Sequence, residues 1–196
     1  MVVYALPMHN LAAARAVSTI RLPRTRRAPA RTPIIAPTTV VEPIVRLAGV
    51  ADVEQIAALV TGFAAQGLML PRTAEDVLRE LPNYVVAATP SGRVLACAAL
   101  TEYSPSLAEV SSVAVAAEAH GQGLGSRVVL AVERVARLRD IDEVFALSLS
   151  PRFFLSLEYA EVPLAMYPEK LARYDRMRAA GQVVVEKGCF RKRLAA

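Results

Sequence analysis

The segment His120-Gly121-Gln122-Gly123-Leu124-Gly125-Ser126 sets glycines at alternate positions between an apolar run and a helical pattern. Glycine removes the side chain where a backbone must approach a ligand closely. A helix opening at such a turn points its unpaired first-turn amides outward. With its dipole it then offers an anion site suited to a pyrophosphate. Alone, the pattern is weak, because many glycine-rich turns are only tight connections. Two other phosphate loops do not fit. A P-loop carries Lys-Ser/Thr after its last glycine, whereas Ser126-Arg127 follows here. A dinucleotide fold places its loop after the first strand, with an acidic residue about 20 residues further on. Here the loop follows four predicted strands, three of them a meander.

A loop of this kind needs a strand before it and a helix after it, and the sequence supplies both. Val110 to Val115 is a predicted strand and Ser126 to Leu138 a long predicted helix. Upstream, Ile44 to Ala48 is a short strand, and Asp52 is placed to cap a helix running to about Gly67. Thr73, with Asp76 three residues on, comes close to a capping box for a second helix. Strands at 84–89 and 93–102 flank the turn Pro90-Ser91-Gly92 and form a hairpin. Downstream come an apolar strand at 144–149, a short helix at 153–157 behind Pro151, and a strand at 159–162. Pro168 starts a helix to about Ala180, Gly181 stops it, and 183–186 is the last predicted strand. A helix pair, an antiparallel meander and then strand–helix–strand make an α/β fold with a mixed sheet.

This arrangement resembles the GNAT superfamily of N-acetyltransferases. In that family an apolar-x-Val strand end leads into a Q/R-x-x-G-x-G/A turn that opens the long helix. Val113-Ala114-Val115 and His120 to Gly125 supply these parts, with His120 departing from the family's Gln or Arg. The resemblance implies a single-domain α/β fold with a mixed, mostly antiparallel central sheet flanked by helices. It also implies acetyl-CoA as co-substrate. Over about residues 44–186 the chain resembles the acetyltransferase domain of N-acetylglutamate synthase. The supporting pieces are Val45 to Ala48 with Asp52, Gly67 to Thr73, Ala96 to Leu100, Ala108-Glu109, Phe153-Phe154 with Tyr159, and Pro168 to Arg178. Glu158 stands where that family has glycine, and Ala180 where it has serine.

The resemblance implies direct transfer of an acetyl group to an amine, with the α-amine of glutamate as the first expectation. Glu109 is the expected base, because an ammonium has no lone pair until it loses a proton. The competing reading of Glu109 is a solvated strand-end charge. The backbone of Val113 and Val115 is expected to hold the pantetheine arm or polarise the thioester. His120, Gly121, Gln122, Gly123, Leu124, Gly125 and Ser126 are expected at the phosphates. Phe154 takes the place of a tyrosine that other members use beside the leaving thiol. Arg72 and Arg178 are the expected partners of substrate carboxylates, since a guanidinium binds a carboxylate bidentately. Their plainer readings are a helix-entry charge and a solvated helix face. Alternatives are an acetyltransferase for another amine (another amino acid, a polyamine, a protein N-terminus) and a non-catalytic acyl-CoA-binding regulatory module.

The charge balance narrows the field. The formal charge of +5 rests on residues 1–41, which hold six arginines and no acidic residue; the remainder has 17 basic and 18 acidic residues. A nucleic-acid partner is therefore not expected of the core. Residues 1–41 read as a proline-interrupted basic arm, with a short amphipathic helix offered by the pattern at 10–21. The arm is expected to be disordered; its alternative is a mitochondrial or plastid transit peptide. The acetyltransferase domain is expected over 42–196. No apolar stretch is long enough to span a membrane. Two scattered cysteines form no zinc pattern, and with only two histidines no metal is expected. The resulting expectation is a cytoplasmic enzyme with a small-molecule amine substrate, with a homodimer as the expected assembly.

Overall fold

The computed structural model describes residues 42–194. The predicted basic arm, its suggested helix at 10–21 and the transit-peptide reading lie outside the described residues. Within them, one seven-stranded sheet runs in the order β1-β2-β3-β4-β5-β7-β6. Its strands are β1 (Ile44–Leu47), β2 (Tyr84–Ala88), β3 (Val94–Ser104), β4 (Leu107–Val115), β5 (Glu143–Ser148), β6 (Ala160–Val162) and β7 (Gly188–Arg193). Only the β4–β5 pair is parallel. The helices are α1 (Val53–Ala64), α2 (Ala74–Arg79), α3 (Leu124–Leu138), α4 (Pro151–Leu155) and α5 (Pro168–Ala179). This is the expected α/β layering with a mixed, mostly antiparallel sheet.

Two apolar layers cover the sheet. On one face, Val53, Ile56, Ala57 and Val60 of α1 pack with Val77 of α2 against Tyr84, Val86, Cys97, Ala99 and Ala114. On the other, Leu124, Val128, Val129, Val132 and Ala136 of α3 pack against Val85, Ala96, Ala98, Leu100, Val110 and Val144. The helical residues recur at three- and four-residue intervals, the spacing that puts them on one side of a helix. All five residues of β2 are buried, as a strand covered on both faces requires.

An irregularity in β4 decides which side chains meet which layer. Cys97 pairs with Ala114 and Ala99 with Ser111, so β4 carries one extra residue there. Ser112, at φ +51, sits inside this bulge. An extra residue turns every following side chain to the opposite face. Glu109 therefore shares a face with Tyr103 and α5, while Val113 and Val115 pack with the α3 layer.

Three local expectations change. Asp52 does not cap α1 with its side chain. Its carboxylate accepts hydrogen bonds from the Gly49 amide at 2.7 Å and from both terminal nitrogens of Arg46, because a 3₁₀ turn at Val50–Asp52 places it one turn inside the helical entry. The last strand is Gly188–Arg193 rather than 183–186. Val183 is 88% exposed, whereas Cys189 and Phe190 are buried, and Phe190 stacks on Phe154. Core packing thus outweighed the β-branched run. Finally, β4 begins at Leu107, ahead of the predicted Val110.

Candidate active site

The parallel strands β4 and β5 pair only from Leu107↔Glu143 to Glu109↔Phe145. Beyond that point β5 continues along β7 as far as Ser148↔Gly188, and β4 continues along β3 as far as Val115↔Ala96. The sheet therefore splits into a cleft with Glu109 at its apex. The Ala116 amide donates to the Leu95 carbonyl at 2.8 Å, which makes Val115↔Ala96 the non-bonded type of antiparallel pair. The Val115 amide and carbonyl consequently point away from β3, toward the cleft. By the same alternation the Val113 amide points that way too.

At the open end of β4 lies the glycine turn. Gly123 is the N-cap of α3 at φ 72, a left-handed conformation, and α3 has neither a side-chain cap nor an acidic residue in its first turn. The first helical amide bond runs from Arg127 to the Gly123 carbonyl at 3.1 Å, so the amides of Leu124, Gly125 and Ser126 lack intrahelical acceptors. A Cβ added at Gly121 or Gly123 would meet nothing within 4 Å, which leaves this backbone uncrowded. Gly125 differs: a Cβ there would lie 3.3 Å from the Phe153 ring and 3.4 Å from Val115. Its absence lets α3 approach β4 closely.

The other side chains of the turn brace it from within. His120 Nε2 donates to the Val115 carbonyl at 2.9 Å, and Gln122 Nε2 donates to the Glu118 carbonyl at 3.1 Å. Both satisfy carbonyls and leave the amides outward. His120 is therefore a solvent-exposed side chain bonded back onto the turn. Leu124 is buried in the α3 layer, and Ser126 is half-buried.

Glu109 is buried and paired. Lys170 Nζ of α5 donates to both of its oxygens, at 2.8 and 2.7 Å, and Tyr103 donates to Oε2 at 3.0 Å. The two charged side chains are only 7% and 6% exposed. The Lys170 ammonium also lies 5.1 Å from the centre of the Tyr174 ring. Burial pushes the Tyr174 hydroxyl up to about 12, and the negative charge of Glu109 adds to the shift. Lys187 Nζ donates to the Leu68 carbonyl at 2.7 Å, tying the 183–187 segment to the stretch before Arg72. Burial lowers the proton affinity of Lys187, Lys170 lowers it further, and Glu109 works against both.

Arg72 is half-buried on this face, 3.6 Å from Glu80. The buried Tyr84 hydroxyl lies beside Ser112 and feels the charge of Arg72. Burial raises the proton affinity of this hydroxyl, with Ser112 and Arg72 opposing. Arg178 reaches the group less directly: it pairs with Asp175 at 3.0 Å, and its guanidinium lies 6.0 Å from the Tyr174 ring. Phe154 is 3% exposed, edge-on to Phe153 and Tyr159, and belongs to the core. Its neighbour Phe153 borders the glycine turn.

Sequence reasoning missed Lys170, Lys187, Tyr103 and Phe153. Lys170 gave no signal of its own, since it stands on a polar helix whose only other buried residue is Tyr174. Burial pushes the thiols of Cys97 and Cys189 up to about 12, which suits packing rather than nucleophilic use. Among the described residues no group of three or more His, Cys, Asp and Glu could hold a metal ion, and no helix is long and apolar enough to cross a membrane.

A split parallel pair, an uncapped helix N-terminus and a buried carboxylate at the apex thus come together along β4. The model of the acetyltransferase (GNAT) family matches residues 51–153, and the chain belongs to that family of acetyl-CoA-dependent N-acetyltransferases. It is 34% identical over 129 residues to an uncharacterised N-acetyltransferase of Chlorobaculum tepidum, covering 66% of this chain and 83% of that one. It is 30% identical over 140 residues to the amino-acid acetyltransferase of Mycobacterium tuberculosis, covering 68% and 80%. Among solved structures it resembles N-acetylglutamate synthase from Neisseria gonorrhoeae complexed with coenzyme A and N-acetyl-glutamate. That match has a TM-score of 0.68 and 26% identity, and spans 79% of this chain and 35% of the synthase.

Proposed function

We propose that this enzyme acetylates the α-amine of an acidic amino acid, glutamate first. The observation that carries the reading is the charge of the acceptor side. Glu109 is there already paired with Lys170, Arg72 is shared with Glu80, and Lys187, held by the Leu68 carbonyl, adds a further cation on the same face. A polyamine would meet this surplus of positive charge unfavourably, whereas a dicarboxylate would not. The amino-acid acetyltransferase and N-acetylglutamate synthase among the similar proteins support the same reading.

The residues fit acetyl-CoA. The unpaired amides of Leu124, Gly125 and Ser126 and the dipole of α3 suit its pyrophosphate, and the Val113 and Val115 amides face the cleft where its arm would lie. Bound there, it supplies the acetyl group as a thioester with a good leaving thiol. On the chain's side, Glu109 takes a proton from the substrate ammonium, directly or through one water, so that the nitrogen gains a lone pair. The Val115 amide is a fixed donor in the cleft, oriented by the strand rather than by a mobile side chain. Arg72 and Arg178 receive the side-chain carboxylate. Phe154 contributes by holding Phe153 against Gly125.

Thiol release from acetyl-CoA, followed with a panel of amino acids and polyamines, tests this. Turnover with glutamate is expected, with kcat/KM falling about 10- to 100-fold in Arg72→Ala, the weight of one charge-assisted contact. Turnover confined to polyamines or neutral amines would discard the acidic substrate. Tight acetyl-CoA binding without turnover of any amine would make the domain a non-catalytic acyl-CoA sensor.

A further inference from the structure

Helix α5 docks in an unusual way. Surface helices normally bury an apolar stripe, yet the only buried residues of α5 are Lys170 and Tyr174, one turn apart. The helix is thus held through a lysine that reaches the apex of the cleft. A buried ion pair is a poor choice for stability alone, because desolvating two charges offsets much of their attraction. An apolar pair of similar volume would serve a purely structural purpose at least as well. The placement of the pair therefore calls for a chemical reason.

The pair is complementary to a zwitterion. An α-amino acid carries its ammonium and its carboxylate on one carbon, so the two charges are adjacent. Glu109 and Lys170 present an adjacent negative and positive charge of matching signs. Lys170 spans both oxygens of Glu109 and Tyr103 holds one of them, so three of the carboxylate's roughly four acceptor sites are taken, and an ammonium that is to bridge both oxygens must displace a donor. Tyr103 is anchored in strand β3, whereas Lys170 stands on a helix with little apolar packing. Lys170 is therefore the donor that gives way, and a substrate carboxylate is the acceptor that compensates it.

Resting on the amino-acid reading above, we infer that Lys170 is the specificity-determining residue for the α-carboxylate of the acceptor. Substrate binding exchanges one ion pair for two. Lys170 leaves Glu109 for the α-carboxylate, and Glu109 receives the ammonium. One proton then passes from the ammonium to Glu109, leaving a neutral amine and a carboxylic acid, while Lys170 stays protonated throughout. The base is thereby released only when an α-carboxylate is present, and amines that lack one leave it engaged.

Three acceptors with the purified full-length enzyme separate the possibilities: glutamate, its α-amide and its γ-amide. The wild type is expected to prefer glutamate over the α-amide by about 10- to 100-fold in kcat/KM, the weight of one charge-assisted hydrogen bond. In Lys170→Gln that preference should vanish, mostly through KM, while any preference over the γ-amide remains. Lys170→Arg keeps the charge and should restore most of the α-carboxylate preference. A thermal unfolding curve and acetyl-CoA binding confirm that each variant is folded. If Lys170→Gln slows all three acceptors alike, or if Lys170→Arg behaves like Lys170→Gln, Lys170 merely props up α5 and the inference is overturned while the glutamate reading stands. A wild type that does not distinguish glutamate from its α-amide also overturns it. If the wild type uses neither glutamate nor its amides, the glutamate reading fails first and the inference falls with it.

Discussion

Glu158 occupies a position that its backbone would rather give to glycine. The Tyr159 amide bonds to the Phe154 carbonyl and the Glu158 amide to the Leu155 carbonyl, the pair of bonds that closes a helix through a left-handed residue. Glu158 adopts φ +67 to do so. A left-handed conformation costs a residue with a Cβ about 1–2 kcal/mol, part of which glycine loses again through unfolded-state entropy. Glu158→Gly should therefore stabilise the fold by about 0.5–1 kcal/mol, read as a higher urea midpoint with unchanged slope. A lower midpoint would mean that the Glu158 side chain makes a contact worth more than the strain. The same closure recurs after α1 and α5, with Gly67 and Gly181 at the left-handed residue, and after α3, with Asp140 there.

Among the elements, β4 carries most of the positional information. Its bulge at Ser112 lets one strand present Glu109 to one face and Val113 with Val115 to the other. Deleting Ser112 would restore the simple alternation and turn Val113 and Val115 out of the α3 layer. A loss on the order of 3 kcal/mol or more is expected from two apolar side chains leaving their sites, seen as a marked drop in thermal midpoint. Ser112→Gly should leave the midpoint unchanged or raise it, because φ +51 favours glycine. Equal behaviour of the two variants would show that the bulge does not set the register.

At the scale of the whole molecule, charge is unevenly divided. The six arginines of residues 1–41 face no acidic residue in their own segment, while residues 42–196 are close to neutral. We propose that residues 42–196 are the catalytic unit and that any nucleic-acid affinity belongs to the arm. Removing residues 1–41 should leave kcat/KM within about threefold of the full chain and abolish any salt-sensitive retention on DNA. Retention that survives the deletion would place a basic surface on the core instead.

Much of this was legible beforehand. The sequence by itself determined the layering, since periodicity marks one face of a helix or strand wherever that face is buried, and it located the glycine turn, whose conformation only glycine adopts cheaply. It also put Glu109 next to the strand that leads into that turn and Arg72 just ahead of the second helix. Three things were decided only by tertiary structure. The final strand went to Gly188–Arg193 because Phe190 had a ring to stack on, which no local propensity encodes. The bulge at Ser112 arose from registering β4 against β3, a pairing between residues distant along the chain. Lys170 lies 61 positions from Glu109, and a lysine on a polar helix looks solvated until the helix is folded onto the apex of the cleft. Burial then makes its one acceptor count, because an unpaired ammonium there would be prohibitively costly.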